Sequence, residues 1–242
     1  MDERPDLILA HWTDPGEQSS GGVRFMRDAN QLPGSLHQIT IVLDQGTEAR
    51  ASELIALGAE RVLLADAALL DSAAVSRMVQ QHGAEHVGVW LPVKRRQVSW
   101  AIDYISNEDF NCLTPSFGKA GWEVVKSDGT STGTDAEWWV SEMLSLGASM
   151  VLISVDAQDD DLNICAGLME SHGVKLWFTP WQQPDADLEP WVRFGRIRRL
   201  VLPAQNARDE QEMALIRAAA LTVLAATAGE IISSKESEKT VQ

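Results

Sequence analysis

Cysteine, tyrosine and positive charge are all scarce in this chain. Its 242 residues include two cysteines, Cys112 and Cys165, and one tyrosine. Two cysteines cannot supply a disulfide framework or a cysteine-based structural zinc site. A reducing, cytoplasmic setting is the expectation. Cys165 sits in an apolar context and reads as a buried thiol, whereas Cys112 reads as exposed. Lys and Arg number 20 against 35 Asp and Glu, a formal net charge of -15. Phosphate-backbone binding draws most of its affinity from a basic face, so nucleic acid is not an expected partner. No apolar run reaches about 18 residues, so no transmembrane helix and no membrane partner are expected. The opening MDERPDLILAHW has neither the basic start nor the long apolar stretch of a signal peptide. DAQDDD (156–161) lacks the glycine and closing glutamate of an EF-hand and reads as a solvated acidic loop. His82 and His86 are separated by Gly83, which ends the helix between them, so they do not share a face as zinc ligands would. A G-x-S-x-G nucleophile signature is missing as well. No metal or cofactor is expected.

What is present is a repeated unit: a helical segment, a glycine, then a short apolar run. The copies read ALGAERVLLAD, QHGAEHVGVWLP, LGASMVLISVD, SHGVKLWFTP and FGRIRRLVLP. Gly58, Gly83, Gly147, Gly173 and Gly195 stand where a helix end would need a left-handed backbone. The runs are short and rich in β-branched residues, which favours strands. Two earlier strands, DLILAHW and HQITIVL, bring the tally to seven. Around the first of these glycines, Ala51, Leu54, Ile55 and Ala59 lie near one helical face. Trp139, Met143, Leu144 and Leu146 share another, with Asp135 as N-cap. Strands alternating with helices imply a parallel sheet covered on both faces. A doubly wound sheet and a barrel both fit that alternation. The short, regular spacing of the glycines suits a compact barrel.

The expected organisation is one (β/α) barrel-like domain over 1–228, an insertion over 93–134 and a polar, disordered tail over 229–242. Within the insertion, WEVVKSDGTSTG predicts a hairpin with an Asp-Gly turn. HVGVWLPVKRR reads as a strand that stops at Pro92 and turns into solvent with Lys94, Arg95 and Arg96. Trp12, Trp90, Trp177 and Trp181 lie at or near strand ends. They read as bulk filling a barrel mouth, or alternatively as a surface for stacking a flat ligand.

One order of residues is more specific. Trp122, Glu123 and Val124 are followed by Thr132 and Gly133, then Asp135, Ala136, Glu137 and Trp138, then Leu146, Gly147 and Ala148, then Asp156. This order resembles the cyclase subunit of imidazole glycerol phosphate synthase, a histidine-biosynthesis barrel. ASELIALGAERVLLADAAL resembles that family's third helix and fourth strand, and HVGVWLPVKRR its fifth strand and the basic residues after it. The resemblance runs from about residue 38 to 165. It implies a TIM-type (β/α)₈ barrel with its site at the C-terminal ends of the strands. It also implies two aspartates, ending the first and fifth strands, as general acid and base.

This chain departs from that pattern. The fifth-strand aspartate position is Pro92, which can neither give nor take a proton. DLILAHWTD is spaced like the family's second strand, so the chain is expected to lack one βα unit. Read instead as the first strand, it offers only Asp14. Glycine-rich phosphate turns are replaced by Asp44 and Gly46, by Thr179, Pro180 and Trp181, and by Pro203, Ala204 and Gln205. Ala65 and Asp66 replace an Asn-Thr pair on the fourth strand. Asp156 survives, while Gln158 and Asp159 replace the Asp and Gly that follow it.

The expected function is therefore a divergent paralogue of the cyclase without its catalytic aspartate or phosphate-binding glycines, a pseudoenzyme or interaction scaffold. The alternative is an active phosphosugar lyase, cyclase or isomerase. Its catalytic groups would be Asp156, Asp44 and Asp66, with Lys94, Arg95, Trp90 and Trp177 binding substrate. Expected partners are a glutaminase-like or other protein, as the resemblance implies, and a second copy of this chain. A missing βα unit would leave two sheet edges open for such a homodimer.

Overall fold

The computed structural model describes residues 7–15, 22–96, 104–107, 110–113, 121–183 and 185–223. In chain order the strands are β1 (Ile8–Trp12), β2 (Arg24–Arg27), β3 (Ile39–Leu43), β4 (Arg61–Leu64), β5 (Val87–Arg95), β6 (Tyr104–Asn107), β7 (Phe110–Leu113), β8 (Trp122–Val125), β9 (Ser131–Asp135), β10 (Val151–Ser154), β11 (Leu176–Thr179) and β12 (Arg199–Leu202). The helices are α1 (Glu48–Ala56), α2 (Asp66–Leu70), α3 (Ala73–His82), α4 (Ala136–Ser145), α5 (Leu162–His172) and α6 (Glu189–Arg193). A last helix, α7, occupies 210–223.

Strands β1 to β5 lie side by side in order, followed by β10, β11 and β12, which returns to β1. All eight neighbour pairs are parallel, so the ring is closed. The chain is an α/β, TIM-type barrel. No strand of the ring is missing, although β2 passes to β3 without a helix. The strand that the sequence reading overlooked is β2, which pairs along its whole length with β3 and at two residues with β1. It is four residues long and has an arginine at each end. Residues 28–38 after it contain no helix to announce it. DLILAHWTD is thus the first strand, with Asp14 two residues past its end. Closure also removes the open sheet edges from which self-association was expected.

Local structure follows the expected chemistry closely. Thr47 caps α1 by accepting the Arg50 N–H at 3.3 Å, and Asp135 caps α4 by accepting that of Trp138 at 3.0 Å. Each such cap is worth about 1 kcal/mol. Gly58, Gly83 and Gly147 take positive φ as expected. Gly173, with φ 12° and ψ -86°, and Gly195 lie outside the left-handed region. A Cβ at Gly195 would stand 2.6 Å from the Trp191 carbonyl oxygen, so glycine serves there for close approach. The left-handed residue is its neighbour Arg196, with φ 55°.

Two apolar layers result from the alternation along each strand. One lies between the barrel and its helices and includes Leu54, Trp139, Met143, Cys165 and Trp191. The other fills the bore. Each barrel strand sends it one central residue: Ala10, Phe25, Val42, Leu63, Trp90, Leu152, Trp177 and Val201. Trp12 meets Phe25 edge-on at 6.0 Å, and Phe25 packs on Trp177 at 5.4 Å between centroids.

Strand β5 does not stop at Pro92. Pro92 faces Ser154 in the parallel ladder, and Val93, Lys94 and Arg95 then continue antiparallel to β8. The proline marks the point where the strand changes partner, a boundary that tolerates a missing N–H. Strands β8 and β9 form the expected hairpin, with Asp128 and Gly129 in its turn and the Lys126 N–H bonded to Thr130 O at 2.9 Å. Strands β6 and β7 form a second small sheet inside the insertion. The side chain of Cys112 and the tail over 229–242 lie outside the described residues. Cys165 is buried, and burial pushes its thiol far up, so it is an inert core group.

Candidate functional site

The C-terminal ends of the barrel strands carry most of the candidate residues. Arg27, ending β2, lies over the Trp90 ring at 4.6 Å and over the Trp12 ring at 5.3 Å. Its Nη1 also meets Asp44 Oδ2 at 2.5 Å, just after β3. A guanidinium on two indoles and one carboxylate thus plugs the centre of the mouth. Trp90 is 2% exposed and donates its indole N–H to Ser154 Oγ at 2.7 Å. Trp12 donates to Thr179 Oγ1 at 2.9 Å. These bonds satisfy the polar edges of two large apolar groups across the ring of strands. Trp177, 4% exposed, lies deeper in the bore with its indole N–H unpartnered.

Asp44 is the electrostatically unusual group. Burial pushes its carboxyl up from the ordinary aspartate range. Arg27 opposes this, and Asp66 and Asp28 add to it. Its Oδ1 is buried without a hydrogen-bond partner. Asp66, beginning α2, accepts the Ser127 N–H at 2.9 Å and the Ser127 hydroxyl at 2.8 Å. It thereby ties the turn of the β8–β9 hairpin to the mouth. Asp156 accepts three consecutive backbone N–H groups, from Trp181, Gln182 and Gln183, at 3.0, 2.9 and 3.1 Å. One carboxylate oxygen therefore organises the loop that follows β11, a charge-assisted arrangement.

Lys94, Arg95, Asp156 and Trp181 line one cavity of about 340 Å³ beside this plug, together with Val93 and Gln158. The basic run is not a solvent-facing turn. Lys94 donates to Ser131 Oγ, Arg95 pairs with Asp161 at 3.2 Å, and Arg96 pairs with Asp135 at 2.8 Å. DAQDDD is likewise not wholly solvated. Asp161 is 3% exposed and accepts the Trp122 indole N–H at 3.0 Å and the Gln158 N–H at 3.0 Å.

The structure thus brings Asp156, Lys94 and Arg95 to one cavity. It places Asp44 and Asp66 within electrostatic reach of each other, and puts Trp90 and Trp177 inside the bore. Sequence reasoning missed Arg27, Trp122 and Asp161. Arg27 belongs to the overlooked strand. Trp122 and Asp161 are 39 residues apart, and no spacing rule joins them. Among the described residues no group of three or more His, Cys, Asp and Glu could hold a metal ion. No described helix is long and apolar enough to cross a membrane. The fold and mouth define a class, a parallel eight-stranded (β/α) barrel with a filled bore. Neither a protein-family model nor a curated protein sequence matches the chain.

Proposed function

We infer that the chain is a divergent relative of the imidazole glycerol phosphate synthase cyclase that no longer performs that chemistry and serves as a protein-interaction scaffold. The observation that carries this reading is the commitment of the mouth. Trp12, Trp90, Arg27 and Asp44 occupy its centre, and Pro92 stands where the fifth-strand acid or base is needed. Asp66 is engaged by the Ser127 N–H and hydroxyl, and Asp156 by three backbone N–H groups after β11. Acid–base catalysis needs a group within hydrogen-bond reach of the substrate's proton, and these two are already occupied. A glutaminase-like or other protein is the partner class that the resemblance suggests. Self-association remains part of the reading, though closure of the barrel means it would use helices or loops rather than strand edges. Assay of the full chain with phosphorylated aminoimidazole and ribulose-type substrates tests the reading: no turnover is expected. Turnover that disappears in Asp156→Asn would overturn it. A sharp monomer peak in light scattering across a concentration series would remove the homodimer.

A second reading rests on Asp44 and the cavity beside it. A carboxyl pushed up by burial, with one oxygen unpartnered, has the character of a general acid. Lys94 and Arg95 line a neighbouring cavity together with Asp156 and Asp161. In that reading Asp44, Asp66 and Asp156 serve a phosphosugar lyase or isomerase. Asp44→Asn would then abolish turnover while leaving the folded state intact.

A further inference from the structure

The opposite end of the barrel, where the strands begin, holds a second cavity, of about 270 Å³. Arg196, Arg198 and Arg199 line it, with Met169 and Val174 on its apolar wall and Glu170 as its one acidic residue. Six other arginines of this acidic protein, Arg27, Arg50, Arg77, Arg95, Arg96 and Arg193, are each in an ion pair with a carboxylate. These three are in none among the described residues. The Nη1 of Arg198 is buried without a hydrogen-bond partner. Burial and the neighbouring Arg196 both pull the Arg198 guanidinium down from its usual range, and burial does the same to Arg199. Arg199 is held in place by its bond to the Val174 carbonyl and by the Trp177 ring at 5.9 Å. Arg196 is carried there by a left-handed backbone that a non-glycine residue seldom adopts.

Like charges brought together, partly desolvated and outside any ion pair raise the free energy of the empty state. An oxyanion would reverse each of those costs. We propose that this cavity is a binding site for a small organic phosphate, whose phosphoryl oxygens meet Arg196 and Arg198 and whose apolar part lies against Met169 and Val174. The planar, forked guanidinium suits phosphate recognition better than an ammonium does. The volume exceeds what a bare phosphate fills, and the apolar wall gives the remainder a chemistry. The site lies at the far end of the barrel from the mouth, so it does not depend on the function proposed above.

Isothermal titration calorimetry on the full chain tests this with inorganic phosphate, n-butyl phosphate and butyrate. Butyl phosphate is expected to bind at least about tenfold more tightly than inorganic phosphate, because only its alkyl group covers the apolar wall. Butyrate binding more tightly than butyl phosphate would overturn the phosphate assignment. Arg196→Gln and Arg198→Lys should each weaken butyl phosphate by about tenfold, the loss of one charge-assisted pair or of its fork geometry. Arg196 is exposed, so its variant keeps the fold. Glu170→Gln should tighten binding by removing a repelling carboxylate. Absence of binding by all the probes overturns the proposal. So does binding that survives Arg196→Gln and Arg198→Lys but is lost in Lys94→Gln, which would place the ligand at the mouth.

Discussion

At the end of the barrel where the strands finish, Arg27 meets Asp44, Arg95 meets Asp161 and Arg96 meets Asp135. At the end where they begin, Arg61, Arg196, Arg198 and Arg199 are in no ion pair among the described residues. Burial pulls Arg61, Arg198 and Arg199 down; Glu60 opposes this at Arg61 while Arg199 adds to it, and Arg196 adds to it at Arg198. At one end matched charges and stacked rings fill the centre beside a cavity of about 340 Å³, whereas the other keeps arginines outside any ion pair around a cavity whose one acidic residue is Glu170. In (β/α)₈ barrels the C-terminal ends of the strands are where ligands are met. Here the mouth carries more paired charge than the opposite end, with Asp44 Oδ1 as its unpartnered exception.

Trp90→Ala should have the largest effect, about 3–5 kcal/mol in chemical denaturation, because it empties the bore and orphans the Ser154 hydroxyl. A loss under about 1 kcal/mol would mean the plug is not close-packed. Asp156→Ala comes next, at about 2–3 kcal/mol, since three backbone N–H groups lose a charged acceptor. Protease nicking after β11 should rise with it. Arg27→Gln should cost about 1 kcal/mol, the sum of an exposed ion pair and a partly covered cation–π stack.

A pH series sharpens the contrast further. The folded carboxyl of Asp44 is raised above its unfolded value. Its contribution is therefore fully present below the unfolded pKa and is lost as pH rises through the folded one. Asp44→Asn lacks this titration, so its stability relative to the parent chain should improve as pH rises through that window. Glu48 and Asp71 behave oppositely. Arg77 holds both below their ordinary values, and what they contribute is lost as pH falls. A flat difference between Asp44→Asn and the parent chain would remove the special status of that carboxyl. The smallest effect belongs to the other end. Arg196→Gln should raise the stability of the ligand-free protein, by no more than about 0.5 kcal/mol, because it dilutes a like-charge cluster at an exposed position. A loss of stability instead would show that Arg196 already has its counter-charge.

Much of the barrel was legible from sequence. Glycine caps at Gly58, Gly83 and Gly147, the faces of α1 and α4, the hairpin turn at Asp128 and Gly129, and seven of the eight barrel strands all follow from local rules. The reading failed where local signal was weak. β2 is too short and too polar at its ends to announce itself, and it exists because β1 and β3 flank it. Pro92 looked like a stop, yet β8 offers the strand a new antiparallel partner. Among the candidate residues, Asp44, Asp66 and Asp156 were correctly placed at strand ends. Their partners Arg27, Ser127 and the backbone after β11 were not foreseeable.

What the sequence determined by itself was the alternation of strand and helix and the apolar content of each strand. Both are set by side-chain periodicity and backbone preference over a few neighbouring residues. Only the tertiary structure decided that the ring closes with eight strands, that Asp161 is buried against Trp122, and that Arg27 covers Trp12 and Trp90. It also decided that three arginines outside any ion pair among the described residues share one cavity. The reason is that burial and charge pairing depend on distances through space between residues far apart in the chain, and no local pattern encodes those distances.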